Sequence, residues 1–357
     1  MVQHLRRLRP KQCCQFFKNY SSEPVANAET KPIPSPKQWS AVLHRLSVMT
    51  QSNFGKQLHK YVDKLHGKYG PIFRESLGPV TAVFISDPNE MRRVFAHEGR
   101  YPIHILPEAW LHYNKIHKTE RGLYFMNGEE WMHYRKLLNP LLLKNYDGQH
   151  ILESCEVMVH SLIDEWYATS LTATTTQWAM YLLATHEDIQ IQIKEEFENS
   201  NLRNTCESDL MRGIVRETMR LYPVAPFITR FLPQDLKVFD SYIIPAGEMI
   251  ILSVYSSGRN GSYFPDPDEF IPSRWERDER TGSLKGVVDP FATLPYAMGA
   301  RSCIGRKIAQ TQICFLLATI FKQYEVLPMD LVDMILHLIP VPNKPIQLHF
   351  EPRSNLG

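Results

Sequence analysis

Residues 295–305 read PYAMGARSCIG. Cys303 stands there among small residues, between Gly299 and Gly305, with Arg301 two positions before it. No second cysteine is at hand. The others are Cys13, Cys14, Cys155, Cys206 and Cys314, scattered without the spacing of a zinc site or the density of a disulfide framework, so a reducing compartment is the default. A helical pattern opens directly after the loop, over about 305–323. The sulfur therefore faces a helix's free amides and its positive dipole end, which favour thiolate over thiol. Glycines on either side let a flat group lie against the backbone where a Cβ would collide, and Arg301 can pair with an anion on that group. Taken alone, such a cysteine reads first as a small buried hydrophobe; the rest of the chain changes that.

Upstream, VRETMRLYP places Glu217 and Arg220 three residues apart on a helix, hence on one face. As an exposed pair they would contribute little. FIPSRW follows at 270–275, with Arg274. In EEWMHYRK, Trp131 and Arg135 are four apart and again share a face, and PFITR ends on Arg230. Guanidinium groups bind carboxylates in a fork geometry. Taken in chain order, these segments and the cysteine loop resemble the cytochrome P450 family, with Tyr296 where that family's loop usually carries phenylalanine.

The resemblance implies a mainly α fold with small β-sheets and haem b as cofactor, with Cys303 as axial thiolate ligand of the iron and the catalytic centre. It implies that Trp131, Arg135, Arg230 and Arg301 meet the haem propionates, three arginines for two carboxylates, and that Gly299 and Gly305 make room for the macrocycle. Glu217, Arg220 and Arg274 would form one buried structural network behind it, since a buried glutamate between two arginines is tolerable only if all three are satisfied together.

Composition agrees with a globular chain: 43% of the 357 residues are hydrophobic and 22% charged. A net charge of +2 is too mild to argue for nucleic acid. No run of about eighteen apolar residues suggests a membrane span. Residues 1–22 are basic, with Arg6, Arg7, Arg9, Lys11 and Lys18 before the first acid, Glu23, and read as a mitochondrial presequence. Residues 23–38 are proline-rich and read as a stiff linker, leaving 39–357 as the catalytic domain. Within it, the patterns predict helices near 56–70, 128–144, 172–199, 207–221 and 305–323, and a hairpin about Gly78-Pro79. Asp87, Pro88 and Glu90 predict a capping box, and HLIPVPNKPIQLHF predicts a hairpin about Pro342 to Lys344.

A finer resemblance, over most of 55–165 and 171–350, is to insect mitochondrial hydroxylases acting on C2 of a 2-deoxyecdysteroid. It implies a steroid substrate, mitochondrial location, peripheral contact with the inner membrane, and Val224, Ala225, Pro226, Phe227 and Ile228 lining the pocket. It also implies electrons from an acidic ferredoxin, received by Arg212, Arg216, Arg306 and Lys307 on the proximal face. One departure is large. Between the Trp131 helix and the helix of TATTTQWAMYLLA the chain has about one helix's length, over 149–167, where the family has several. The positions aligned with the family's acid-alcohol pair are Ser170 and Leu171. Thr172 points about 100° away, and Thr175 is displaced by about 6 Å, too far for direct proton delivery. The chain thus reads as internally truncated around 150–171.

Overall fold

The computed structural model describes residues 30–36, 40–77, 80–106, 108–118, 122–144, 171–198, 205–337 and 339–353. The presequence, residues 149–167, Ser170 and the turn at Gly78-Pro79 lie outside them. The chain is mainly helical with small sheets, and among the described residues no helix is long and apolar enough to cross a membrane.

The chain begins with α1 (Ala41–Gln51) and α2 (Leu58–Tyr69), which buries Tyr61, Val62 and Leu65 and stops at Gly70, where φ is +92°. Strands β1 (Ile72–Leu77) and β2 (Val80–Ile85) pair antiparallel, from Ile72↔Ile85 to Leu77↔Val80. In α3 (Pro88–Ala96) the Asp87 side chain accepts from the amides of Asn89 and Glu90. Glu90 does not complete the predicted box; its carboxylate accepts from Phe239 N at 3.0 Å and from Arg93 at 3.1 Å. A long-range acceptor duty has displaced the local one.

Next come α4 (Glu108–His117) and α5 (Gly128–Asn139). The α5 helix ends short of the predicted 144: Pro140 has no amide to continue the ladder, and 140–144 form a wider π turn. The predicted helix over 172–199 is two, α6 (Leu171–Ala184) and α7 (Glu187–Phe197). Thr185 Oγ1 donates to Leu182 O at 2.8 Å, and His186 Nδ1 lies 2.7 Å from the same oxygen, so side chains satisfy the end of α6. Helix α8 (Asp209–Leu221) is capped by Ser208, which accepts from Met211 N.

Strands β3 (Phe227–Phe231), β4 (Leu236–Val238), β5 (Tyr242–Ile244) and β6 (Met249–Ser253) follow, then the short α9 (Val254–Gly258). The main sheet runs β1-β2-β6-β3, with β2 and β6 parallel and β3 on an edge. Helix α10 (Arg306–Gln323) leads into β7 (Tyr324–Pro328), β8 (Met334–Leu336), β9 (Pro340–Pro342) and β10 (Leu348–Pro352). The predicted carboxy-terminal hairpin is not formed. Instead β9 folds back on β8, and β10 pairs with β7. Pro340, Pro342 and Pro345 remove donors that a ladder across that turn would use. Asn343 exchanges two hydrogen bonds with Asp333 instead.

The proline-rich approach is tied to the fold at one point: Ile33 is buried, Lys31 N donates to Ser241 O, and Arg74 N donates to Pro34 O, both at 2.8 Å. One apolar core lies among α6, α7, α8 and α10; a second lies between α3 and the sheet. The cysteine loop bridges them, with Tyr296 against the helical core and Leu294, Ala297 and Met298 in or against the other. Its position is thereby fixed from both sides.

Desolvated histidines, His59 and His66 among them, make stability depend on acid. Burial lowers His59 to about 4, helped by the charge of Lys60, and lowers His66 to about 4. Above pH 6.5 both are neutral folded or unfolded; between 6.5 and about 4 the unfolded chain binds more protons, so stability falls as pH falls. The urea midpoint of the chain should therefore drop between pH 7.5 and 5, and should recover part of that drop in His59→Phe.

Candidate functional site

The Cys303 loop is built by its backbone. Cys303 N donates to Tyr296 O at 2.8 Å, Ala297 N to Leu294 O at 3.0 Å, and Ser302 N to Gly299 O at 3.2 Å. Ala297 and Gly299 both sit at positive φ, +52° and +74°. Such a turn needs residues that tolerate the left-handed region. Cys303 is exposed, just ahead of Gly305, the N-cap of α10.

The two glycines have different reasons. A Cβ on Gly299 would lie 2.3 Å from Glu98 Oε1, which accepts from Ala300 N at 2.9 Å. Its bareness serves a contact within the protein. Gly305 has φ −86° and no protein atom within 4 Å of the Cβ position. Neither backbone conformation nor packing among the described residues requires glycine there, and the space beside it is open. Tyr296, in the usual phenylalanine position, keeps its ring in the helical core; burial raises its hydroxyl well above the normal range, and that hydroxyl has no hydrogen-bond partner.

Beside the loop stands a cationic cluster. Helix α5 buries Trp131 and Arg135 on the same face, 2% and 5% exposed. Arg135 donates to Ser302 O at 2.7 Å, while its Nε is buried without a partner. The Arg301 guanidinium lies 4.5 Å over the Trp131 ring. It donates to Pro102 O, Asn127 Oδ1 and Met126 O. Burial first, then the like charge of Arg230, brings it down to about 10. Arg230 is differently placed: its Nε donates to Glu98 Oε2 at 2.7 Å, both side chains nearly inaccessible, with the guanidinium over Phe95. Among the described residues neither Arg135 nor Arg301 meets a carboxylate. Three guanidiniums less one carboxylate leaves two buried or half-buried positive charges unmatched, which is costly without an acidic partner.

Behind the loop, Glu217 is fully buried and saturated. It accepts from Arg220 at 2.9 and 2.8 Å, from Arg274 Nε at 2.8 Å, from Trp275 Nε1 at 2.8 Å and from Ile271 N at 3.1 Å. The second arginine charge is spread over backbone oxygens: Arg220 donates to Gly258, Pro267 and Glu269, and Arg274 to Pro265, Gly286 and Asp266. Gly213 allows α8 to close on this segment, since a Cβ there would sit 2.6 Å from Pro272 O. The network ties α8 to the loop preceding the cysteine.

Other sequence-predicted positions are less uniform. Arg306 and Arg216 are exposed; Arg216 stacks on the outer side of Trp275, 5.7 Å from its ring. Arg212 pairs with Asp209, and Lys307 donates to Leu143 O at 2.9 Å. The five residues predicted to line a pocket are not on one surface. Strand alternation turns Ile228 into the core between α3 and the sheet, with Arg230 on the same face, whereas Phe227 packs toward Phe84 on the other. Pro226 is buried, Val224 half-buried and Ala225 exposed. Leu171 is exposed at the start of α6; Thr175 and Thr176 donate to Leu171 O and Thr172 O within the helix.

Glu98, Asn127 and the indole of Trp275 complete the site and were not among the predicted residues. Only Trp275 left a trace, as part of FIPSRW.

The family described as Cytochrome P450 matches residues 33–172 and again 167–350. The chain is 28% identical over 495 aligned positions to "Cytochrome P450 315a1, mitochondrial" of Drosophila melanogaster, covering 95% of this chain and 92% of that one. Since 357 residues cannot fill 495 positions, the alignment carries long gaps in this chain. It is 37% identical over 194 residues to "Cholesterol side-chain cleavage enzyme, mitochondrial" of Hypanus americanus, 52% of this chain and 36% of that one. It is 30% identical over 193 residues to "Sterol 26-hydroxylase, mitochondrial" of Rattus norvegicus, 51% and 36%. The chain thus spans little more than a third of these last two relatives.

Proposed function

Because this chain belongs to the cytochrome P450 family, we propose that it is a mitochondrial haem-thiolate steroid hydroxylase, directed at C2 of a 2-deoxyecdysteroid, from which a central segment has been lost. The observation that carries the haem-binding part is the charge balance beside the loop. With Glu98 spent on Arg230, the buried Arg135 and the half-buried Arg301 have no carboxylate among the described residues, a match for the two acidic arms of protoporphyrin. The open side of Gly305 and the exposed sulfur of Cys303 complete the fit.

When bound, haem supplies the oxygen-activating redox chemistry that inserts one oxygen atom into an unactivated C–H bond. This chain's own residues hold and tune it. Cys303 presents the sulfur; Arg135 and Arg301 neutralise the acidic arms, with the Trp131 ring fixing the plane of Arg301. Glu98 clamps Ala300 N and so sets the loop's height over strand β3. Arg306 and Arg216, exposed on α10 and α8, suit an acidic ferredoxin as electron donor, with Arg212 and Lys307 adding charge. Exposed Val42, Leu43 and Leu46 on α1 suit a peripheral membrane contact.

Proton delivery is where this chain falls short. Position 171 is an exposed leucine, and the hydroxyls of Thr175 and Thr176 are engaged with their own helix. A second reading follows, in which the chain binds haem without turnover or is unstable. It is favoured by the two family segments meeting at 167–172 and by exposed Leu137, Leu141 and Leu171, apolar surface of the kind buried when neighbouring helices are present. The test is incubation of the purified chain with 2-deoxyecdysone, ferredoxin and reductase. We expect a thiolate-type carbon monoxide band with product near background, and sequencing of transcripts across 150–180 should yield a longer form that turns over. Robust hydroxylation by the 357-residue chain would overturn the truncation reading; no haem uptake would overturn the cofactor.

A further inference from the structure

His104 is 9% exposed, and neither ring nitrogen has a hydrogen-bond partner. Its backbone is firmly placed. Residues 103–105 cover the free edge of β3: Phe231 N donates to Ile103 O and Ile105 N to Thr229 Oγ1, each at 3.1 Å. The His104 carbonyl accepts from Asn127 Nδ2 at 3.3 Å, and Asn127 Oδ1 accepts from Arg301. Tyr124 meets the ring edge-on at 5.0 Å.

The charged neighbours are Arg301 and Arg230. Burial first, then the like charges of Arg301 and Arg230, bring the imidazole down to about 3 against a weaker opposing pull from Asn127 and the Tyr124 backbone, so it is neutral, with one N–H to donate. A buried donor of this kind is rarely left unmet. The contrast with Glu217, where every oxygen is used, makes it more conspicuous. Simple packing against Tyr124 would need only a phenyl ring. What the ring nitrogens share with Arg135 Nε is a place in one cationic cluster and the lack of an acceptor at good hydrogen-bond geometry, Asn127 and the Tyr124 backbone acting on the ring only weakly.

We propose that His104 donates a hydrogen bond to an acidic arm of the macrocycle, as a positioning residue beside Arg135 and Arg301, while Arg230 serves Glu98 and the loop. This rests on the haem-binding reading above. A neutral donor suits the spot: Glu98 is already consumed by Arg230, so a third free cation would exceed the two acids to be matched.

The experiment loads the full chain with haemin and follows its transfer to excess apomyoglobin for wild type, His104→Phe, His104→Gln and His104→Asn, with the urea midpoint of each unloaded chain alongside. Loss from His104→Phe should be roughly 10-fold faster, and one of the amide variants, whose N–H can stand near a ring nitrogen, should restore most of the wild-type rate. A wild-type rate in His104→Phe overturns the proposal. So does equally fast loss from all three variants, or a fall in urea midpoint that tracks the rates, because packing alone would then explain them. Wild type that takes up no haemin overturns the haem-binding reading instead, and is told apart by occurring before any substitution.

Discussion

Cys303→Ala should abolish the red-shifted carbon monoxide band completely while leaving the fold intact. The sulfur is exposed and its backbone amide, not its side chain, holds the loop through Tyr296 O. Truncating an exposed side chain of this kind changes stability by no more than about 0.5 kcal/mol. Haem could still be retained through Arg135 and Arg301, but without a thiolate its carbon monoxide complex absorbs at shorter wavelength. The measurement is the spectrum of the reduced carbon monoxide complex minus that of the reduced protein, on wild type and variant at matched haem content. An unchanged band would show that another group ligates iron and would remove the basis of the site.

Glu217→Gln should be the most destabilising single change. It leaves Arg220 and Arg274, 0% and 3% exposed, without a carboxylate between them. Breaking one side of a buried ion network costs about 3–5 kcal/mol, against about 5–15 kcal/mol for the stability of a whole domain. A large part of the population should be unfolded at 25 °C in modest urea. Arg212→Gln, which breaks a more exposed pair on the same helix, should shift the midpoint little. Equal midpoints for Glu217→Gln and wild type would mean the network is not stabilising, whatever its geometry.

These two residues were legible early because their partners are near in sequence or sit in contiguous motifs. Glu217 and Arg220 are three apart on one helix face, and the cysteine loop is a single stretch of eleven residues. Local spacing carries such information directly. Glu98 left no such trace. It lies in an ordinary HEG stretch, and its partners Arg230 and Ala300 are 132 and 202 positions away. His104 is no different, since nothing local says that it would face Arg301. Alternation in β3 is visible in the letters FITRF, yet which face is core depends on α3, and only the fold puts Ile228 there. The carboxy-terminal strands failed for the same reason, their true partners being β7 and β8 rather than each other.

The helical class of the chain belongs to the one-dimensional record, resting on periodicity and capping, which are set within about a dozen residues; so do the expectations of a sulfur ligand at Cys303 and a break near 171, which rest on the family resemblance of contiguous motifs. How the charges are shared out does not. That Arg230 goes to Glu98, that Arg135 and Arg301 meet no carboxylate among the described residues, and that His104 is buried beside them is decided by which groups the fold desolvates together, and desolvation is blind to distance along the chain.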